Sequence, residues 1–236
     1  MNTVLCMKWG TVYGPEYVNK LRSMVQRHLS LPHRFVCLTD DRAGIDPAIE
    51  CRPLPAIELP GVPSFSGWRK LSSFSPELNE LGGPILFLDL DLVITDNVDV
   101  FFTHPGEFCI IENWTQMNQG IGNSSVYRYE LPKHNYVFED WQRRGSEILM
   151  QHRNEQIYLS SVAKPLTFWP DEWCRSFKRH CLPGGVRNWF ITPRRPEDAK
   201  IIVFHGHPKP PDAARGVWPQ RFKRMRPAHW IEEFWY

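Results

Sequence analysis

The chain has 236 residues, 42% of them hydrophobic and 23% charged, with a formal net charge of +2. That length fits one large α/β domain with a sizeable core, and the even charge balance gives no sign of a nucleic-acid partner, so none is expected. No run of ~18 apolar residues occurs, and MNTVLCMKWG at the start lacks a basic segment followed by a long apolar one, which predicts a soluble, cytoplasmic protein, at most peripheral to a membrane. The cysteines Cys6, Cys37, Cys51, Cys109, Cys174 and Cys181 include no C-x-x-C pair. They read as reduced thiols, with no zinc site among them.

Taken in order, Thr3 to Met7 reads as a first buried strand, and KWGTVYG after it as a loop with two glycines for close backbone approach. Pro15 opens a helix on which Tyr17, Leu21, Met24, Val25 and Leu29 recur at helical spacing. Arg34 to Thr39 is a second strand. Strand, helix and strand in succession predict a parallel sheet whose binding edge lies at the strand ends. Residues 46–66 carry Pro47, Pro53, Pro55, Pro60 and Pro63 and read as an extended connection with one short strand. A short helical stretch from Trp68 then brings Arg69 and Lys70 toward any anionic ligand on the next strand's end, unless both are plain solvated charges.

That next strand organises the rest. Ile85, Leu86, Phe87 and Leu88 follow a Gly-Gly-Pro turn signal and read as a strand buried on both faces. The apolar run stops at Asp89 and Asp91. If the extended conformation persists, the two-residue period puts both carboxylates on one face, where a hard divalent cation with a phosphorylated substrate would relieve their repulsion. The plainer reading is that the two residues only cap the strand.

Beyond them, residues 96–102 read as a turn and a short helix, and Phe108 to Glu112 as a strand. Asn118 to Val126 is a polar turn running into another strand, and its amides and hydroxyls suit sugar hydroxyls. Tyr136 to Met150 and Glu155 to Val162 are helical by period, and Leu166 to Trp169 is a short strand. Lys200 to Phe204 is a last apolar strand ending in His205, Gly206, His207, Pro208 and Lys209. One imidazole there would complete a metal's coordination, and the lysine would neutralise a phosphate.

Residues 211–236 form a tail in which Arg215, Arg221, Lys223, Arg224 and Arg226 alternate with Trp218, Phe222, Met225, Trp230, Phe234 and Trp235. Such interleaving suits an anionic membrane surface, and equally a segment packed on the domain by its rings with the cations outside. A stacking surface for single strands uses the same ingredients.

LFLDLDLVITDNVDVFF, NSSV, NEQIYL and FHGHPKP, in this order across residues 3–210, resemble the metal-dependent glycosyltransferases of the GT-A fold. The closest likeness is to the retaining family that includes glycogenin and the bacterial lipopolysaccharide galactosyl- and glucosyltransferases. The resemblance implies a Rossmann-like α/β domain over residues 1–210, with a mixed, mostly parallel sheet flanked by helices. It implies transfer of a hexose from a nucleotide-diphosphate donor, usually UDP-linked, to a saccharide or lipid-linked saccharide.

By the same resemblance Asp89, Asp91 and His205 hold Mn²⁺ or Mg²⁺. Lys209 contacts the diphosphate, and Lys70 or Arg69 reaches the donor. Asn123 and Ser124 lie near the donor sugar, Glu155 and Gln156 lie under the anomeric carbon, and Lys8, Trp9, Gly10 and Tyr13 border the base and ribose. His205 and Lys209 are closer together than the family's motif has them, which leaves the metal role open between His205 and His207. Lys8 and Trp9 replace the family's usual acidic residue after the first strand, which leaves the base open. The residues do not decide between retention and inversion.

Two other readings compete. ILFLDLDLVIT also resembles the aspartyl-nucleophile strand of haloacid-dehalogenase-type phosphatases, with Asp89 attacking phosphorus and Asp91 as acid and base. A non-catalytic module that binds a nucleotide sugar or a glycan, or acts as a membrane-peripheral scaffold through its tail, is the other.

Overall fold

Residues 1–63 and 65–236 are described by a computed structural model. Strand β1 (Asn2–Lys8) lies between β2 (His33–Thr39) and β4 (Gly83–Leu88), parallel to both, and β2 carries β3 (Glu50–Arg52) on its outer edge. The other side of β4 is covered by β7 (Gly122–Leu131), then β6 (Phe108–Glu112), then β8 (Leu166–Phe168). β7 runs antiparallel to both of its neighbours, and every other pair in this seven-stranded sheet is parallel.

The central strands are apolar throughout because both faces are covered. Val4, Cys6, Leu86 and Leu88 face one core with helix α1 (Pro15–His28), whereas Leu5, Met7, Ile85 and Phe87 face the other with helices α3 (Tyr136–Gln151) and α4 (Glu155–Val162). The alternation is the period of two that an extended chain imposes. On α1 the buried residues Tyr17, Val18, Leu21, Met24 and Val25 fall on one stripe behind Pro15 at the first turn. Gly83 opens β4 at φ +66°, where a side chain would be strained and its Cβ would stand 3.1 Å from the Met1 carbonyl oxygen.

The condition that the extended conformation persists through both carboxylates is not met. The chain leaves the large sheet at Leu88 and enters a second one at β5 (Leu92–Ile94), so Asp89, Leu90 and Asp91 form the passage between the two. The backbone pins it from both sides: Asp89 N–H donates to Ser125 O at 2.9 Å, and Phe204 N–H donates to Asp91 O at 2.9 Å. In the second sheet β10 (Ile201–Val203) is central, antiparallel to β5 and parallel to β9 (Cys174–Ser176).

Two short 3₁₀ turns, Gly67–Phe74 and Pro76–Leu81, lead into β4, and α2 (Val100–Thr103) follows β5. The tail holds two helices that its sequence pattern does not announce, α5 (Pro210–Arg215) and α6 (Trp230–Phe234). Ala213, Met225, Ala228, Ile231 and Trp235 join the same core as α1. The six cysteines are free thiols, all buried except the half-buried Cys51. Among the described residues no helix is long and apolar enough to cross a membrane.

Candidate active site

Strand direction decides where the polar residues meet. β1, β4 and β6 point their C-terminal ends to one edge of the sheet, and β7, running the other way, brings its N-terminal end there. A cavity of about 460 Å³ lies at this edge. The loop after β1 gives it Trp9 and Tyr13, the passage after β4 gives Asp89 and Asp91, and the start of β7 gives Asn123 and Ser124. Glu155 and Gln156 come from the first turn of α4, and His205, Gly206 and Lys209 from the loop after β10.

Each carboxylate has its own lysine. Lys70 Nζ lies 2.6 Å from Asp89 Oδ1 and donates to Ser124 O at 3.3 Å. Lys209 Nζ lies 2.5 Å from Asp91 Oδ2, and the Tyr13 hydroxyl, 2.5 Å from the same ammonium, donates to that carboxylate oxygen at 2.8 Å. Burial and the charge of Asp89 nevertheless push the Asp91 carboxyl up to about 6, outweighing Lys209 and Tyr13. Burial raises the Tyr13 hydroxyl as well, helped by Asp91, so it stays protonated as a donor. At Lys70 burial favours the neutral amine, but Asp89 and Glu155 overcome it and the ammonium is held more firmly than usual.

Beside Lys70, Ser124 ties β7 to α4. Its N–H donates to Gln156 Oε1 at 3.3 Å and its hydroxyl to Glu155 Oε1 at 3.0 Å. Asn154 caps α4 by accepting from Ile157 N–H at 3.1 Å, which fixes the first turn carrying both residues. His205 Nε2 is 2.7 Å from Ser176 Oγ and its ring stacks on Trp114. Burial, with Lys178, Arg179 and Lys209 around it, holds its pKa down to about 4, so the imidazole is neutral at pH 7.

Among the described residues no three His, Cys, Asp or Glu side chains converge as a metal-binding group. In kind, though not in convergence, the donors suit a divalent cation: two carboxylates and a neutral imidazole line one cavity.

Three predicted site residues lie outside the wall. Lys8 is buried with its ammonium on Asp41 O at 3.3 Å, Gly10 N–H donates to Asp40 Oδ2 at 2.9 Å, and Arg69 is beside Lys70 but does not line the cavity. His207 is exposed and away from the cavity, which leaves His205 as the imidazole in the wall. Asn113, Trp114, Thr115 and Phe65 also line the cavity, and none of them is marked as a site residue by the sequence. The strand-end rule applied to Phe108–Glu112 finds the first three, because β6 is parallel to β4 and ends at the same edge.

No protein-family model matches the chain, and no curated protein matches it. Solved structures do. A structure of the galactosyltransferase LgtC with donor and acceptor sugar analogs superposes at a TM-score of 0.63 with 14% identity, covering 98% of this chain and 94% of that one. An active-site glutamine-to-glutamate mutant of LgtC gives 0.60 and 12% over the same shares. The fold is the GT-A fold. The glycosyltransferase GlyE of Streptococcus pneumoniae TIGR4 is similar over 99% of this chain at a TM-score of 0.63 and 14% identity, and the match covers 60% of GlyE. The phosphatase alternative, which needs a different fold with its Asp-x-Asp strand first, is set aside: here that strand is the fourth in chain order.

Proposed function

We propose that this chain is a glycosyltransferase that moves a hexose, with retention, from a nucleotide-diphosphate sugar, UDP-linked by resemblance, to a saccharide or lipid-linked saccharide. The observation that carries the proposal is the meeting of Asp89 and Asp91, each with its own lysine, in one cavity at the strand-end edge of a GT-A fold. A module that only binds glycans has no need of paired carboxylates matched by paired lysines in its cavity. The GT-A neighbours named above include LgtC in complex with donor and acceptor sugar analogs, and an active-site glutamine of LgtC. Gln156 is the glutamine in the wall here.

Asp89, Asp91 and His205 would hold Mn²⁺ or Mg²⁺, which when bound supplies Lewis-acid stabilisation of the charge developing on the leaving diphosphate. This chain's own residues do the rest. Lys209 exchanges its contact with Asp91 for the diphosphate and neutralises it as a point charge. Trp9 and Tyr13 border the nucleoside, with Tyr13 also steadying Lys209. Asn123 and Ser124 offer amide and hydroxyl groups to the donor sugar. Glu155, whose Oε1 already accepts from Ser124, and Gln156 would lie under the anomeric carbon.

A thermal-unfolding screen against UDP, GDP, CDP and their sugars, each with and without Mn²⁺, tests this reading. A donor at a hundredfold excess over its Kd stabilises by about 2.7 kcal/mol. Stabilisation that needs one nucleotide and Mn²⁺ together, and that disappears in Asp91→Ala, is the expected result. No response to any nucleotide would falsify the proposal.

A further inference from the structure

The second sheet carries an ammonium group that the site described above does not use. β9 and β10 are parallel, with Ser176 opposite Val203, so the residues following each emerge at the same edge. After β9 comes the turn Phe177–Cys181, and after β10 come Phe204, His205 and Gly206. The two exits are bound together by Phe177 stacked on Phe204 at 4.5 Å and by Ser176 Oγ against His205 Nε2 at 2.7 Å. Lys178 therefore projects beside the cavity: its Nζ lies 3.5 Å from where a Cβ on Gly206 would stand, and Gly206, at φ +72°, is part of the wall.

Lys178 is half-buried, and among the described residues it makes no hydrogen bond and no ion pair. Its charged surroundings are mostly of its own sign, namely Lys223, Lys209 and Arg179, with Asp91 the acid that opposes them. Lys209, three residues beyond Gly206, is already engaged by Asp91 and Tyr13. An ammonium that is partly stripped of water and crowded by like charges gains more from an incoming anion than an exposed one.

We propose that Lys178 is a second lysine for the diphosphate of the donor, binding it beside Gly206 in addition to Lys209. The inference rests on the nucleotide-diphosphate reading of the cavity. As transfer proceeds, the bond between the anomeric carbon and the β-phosphate oxygen breaks and its electron pair stays on that oxygen. The acceptor oxygen bonds to the anomeric carbon, and its proton passes to the departing phosphate. Lys178 keeps its own proton throughout and stabilises the leaving group by a charge-assisted hydrogen bond. A monophosphate lacks the β-phosphate, so Lys178 should favour the diphosphate over it.

The test is calorimetric titration of the full chain with UDP and UMP in the presence of Mn²⁺, using wild type, Lys178→Ala, Lys178→Gln and Lys178→Arg. The GDP/GMP and CDP/CMP pairs are used if UDP does not bind. Loss of one charge-assisted contact predicts that Lys178→Ala and Lys178→Gln weaken UDP by about tenfold or more while UMP changes by less than about twofold. Lys178→Arg retains most of the affinity. Lys223→Ala, whose ammonium packs over Trp218 instead, keeps the diphosphate preference.

Equal losses for UDP and UMP would show a structural role and overturn the inference. So would unchanged UDP affinity, including the case in which only transfer to an acidic acceptor suffers. If wild type binds none of the diphosphates, it is the nucleotide reading of the cavity that fails.

Discussion

At the scale of single residues, the site depends on how Asp89 is neutralised. Its carboxylate sits largely out of water against Lys70, with side-chain exposures of 18% and 13%. Removing one partner of such a pair leaves a charge without compensation, and for full burial that costs about 3–5 kcal/mol. The remaining exposure screens part of this, so Lys70→Met is expected to destabilise the fold by roughly 2–3 kcal/mol. Adding Asp89→Asn removes the orphaned charge, and the double variant should recover much of that loss. Urea unfolding of the two singles and the double gives the coupling directly. Additive losses would mean that Lys70 acts through packing alone. Tyr13 differs in kind: its hydroxyl joins Asp91 and Lys209 without carrying charge.

At the scale of elements, Lys70 is only as well placed as the 3₁₀ turn Gly67–Phe74 that carries it. Phe74 packs on Tyr129 at 4.4 Å and on Tyr127 at 5.8 Å, and the Tyr129 hydroxyl donates to Ser73 O at 2.7 Å. Trp68 stacks on Trp141 of α3 at 4.9 Å. Phe74→Ala opens a cavity under this turn and should cost about 3–5 kcal/mol. Because the turn aims Lys70 at Asp89, the variant should also bind donor more weakly at temperatures where it is still folded, as titration would show. Unchanged affinity would mean that the turn is held without Phe74. The sequence showed a short helical stretch from Trp68 and Lys70 aimed at the next strand's end, but not the aromatic packing beneath it, because a short 3₁₀ segment has little periodicity to read, whereas β1, α1 and β4 announce themselves by unbroken apolar runs and a helical stripe. The same limit hid Trp114 and the passage at Asp89 to Asp91. Residue types mark a strand's end, but which strands share an edge, and where a chain changes sheets, are settled by long-range pairing such as β7 with β4 and β10 with β5.

At the scale of the whole molecule, the aromatic and basic tail divides into two sides. Ile231 and Trp235 are buried, and Lys20 of α1 donates to Trp235 O at 3.1 Å. The other side faces out: Phe222 is 84% exposed, and Arg226 N–H donates to Asn188 O at 3.0 Å, which places the tail beside the exposed Val186, Trp189 and Phe190. Arg224 lies over the Trp189 ring and Arg221 over Phe222, so cations and rings are interleaved on one face. We propose that this face meets an anionic bilayer, which would bring a lipid-linked acceptor within reach. At about 1 kcal/mol for each basic residue near the surface, Arg221 and Arg224 together should favour anionic over neutral vesicles by about 2 kcal/mol, roughly thirtyfold. Cosedimentation with phosphatidylglycerol-containing and pure phosphatidylcholine vesicles should show that preference and its loss at high salt. Phe190→Ser with Phe222→Ser should weaken binding to the anionic vesicles while leaving donor binding unchanged, since neither ring lines the cavity. Equal binding to both kinds of vesicle, or binding to neither, would refute the assignment and leave the face to a protein partner.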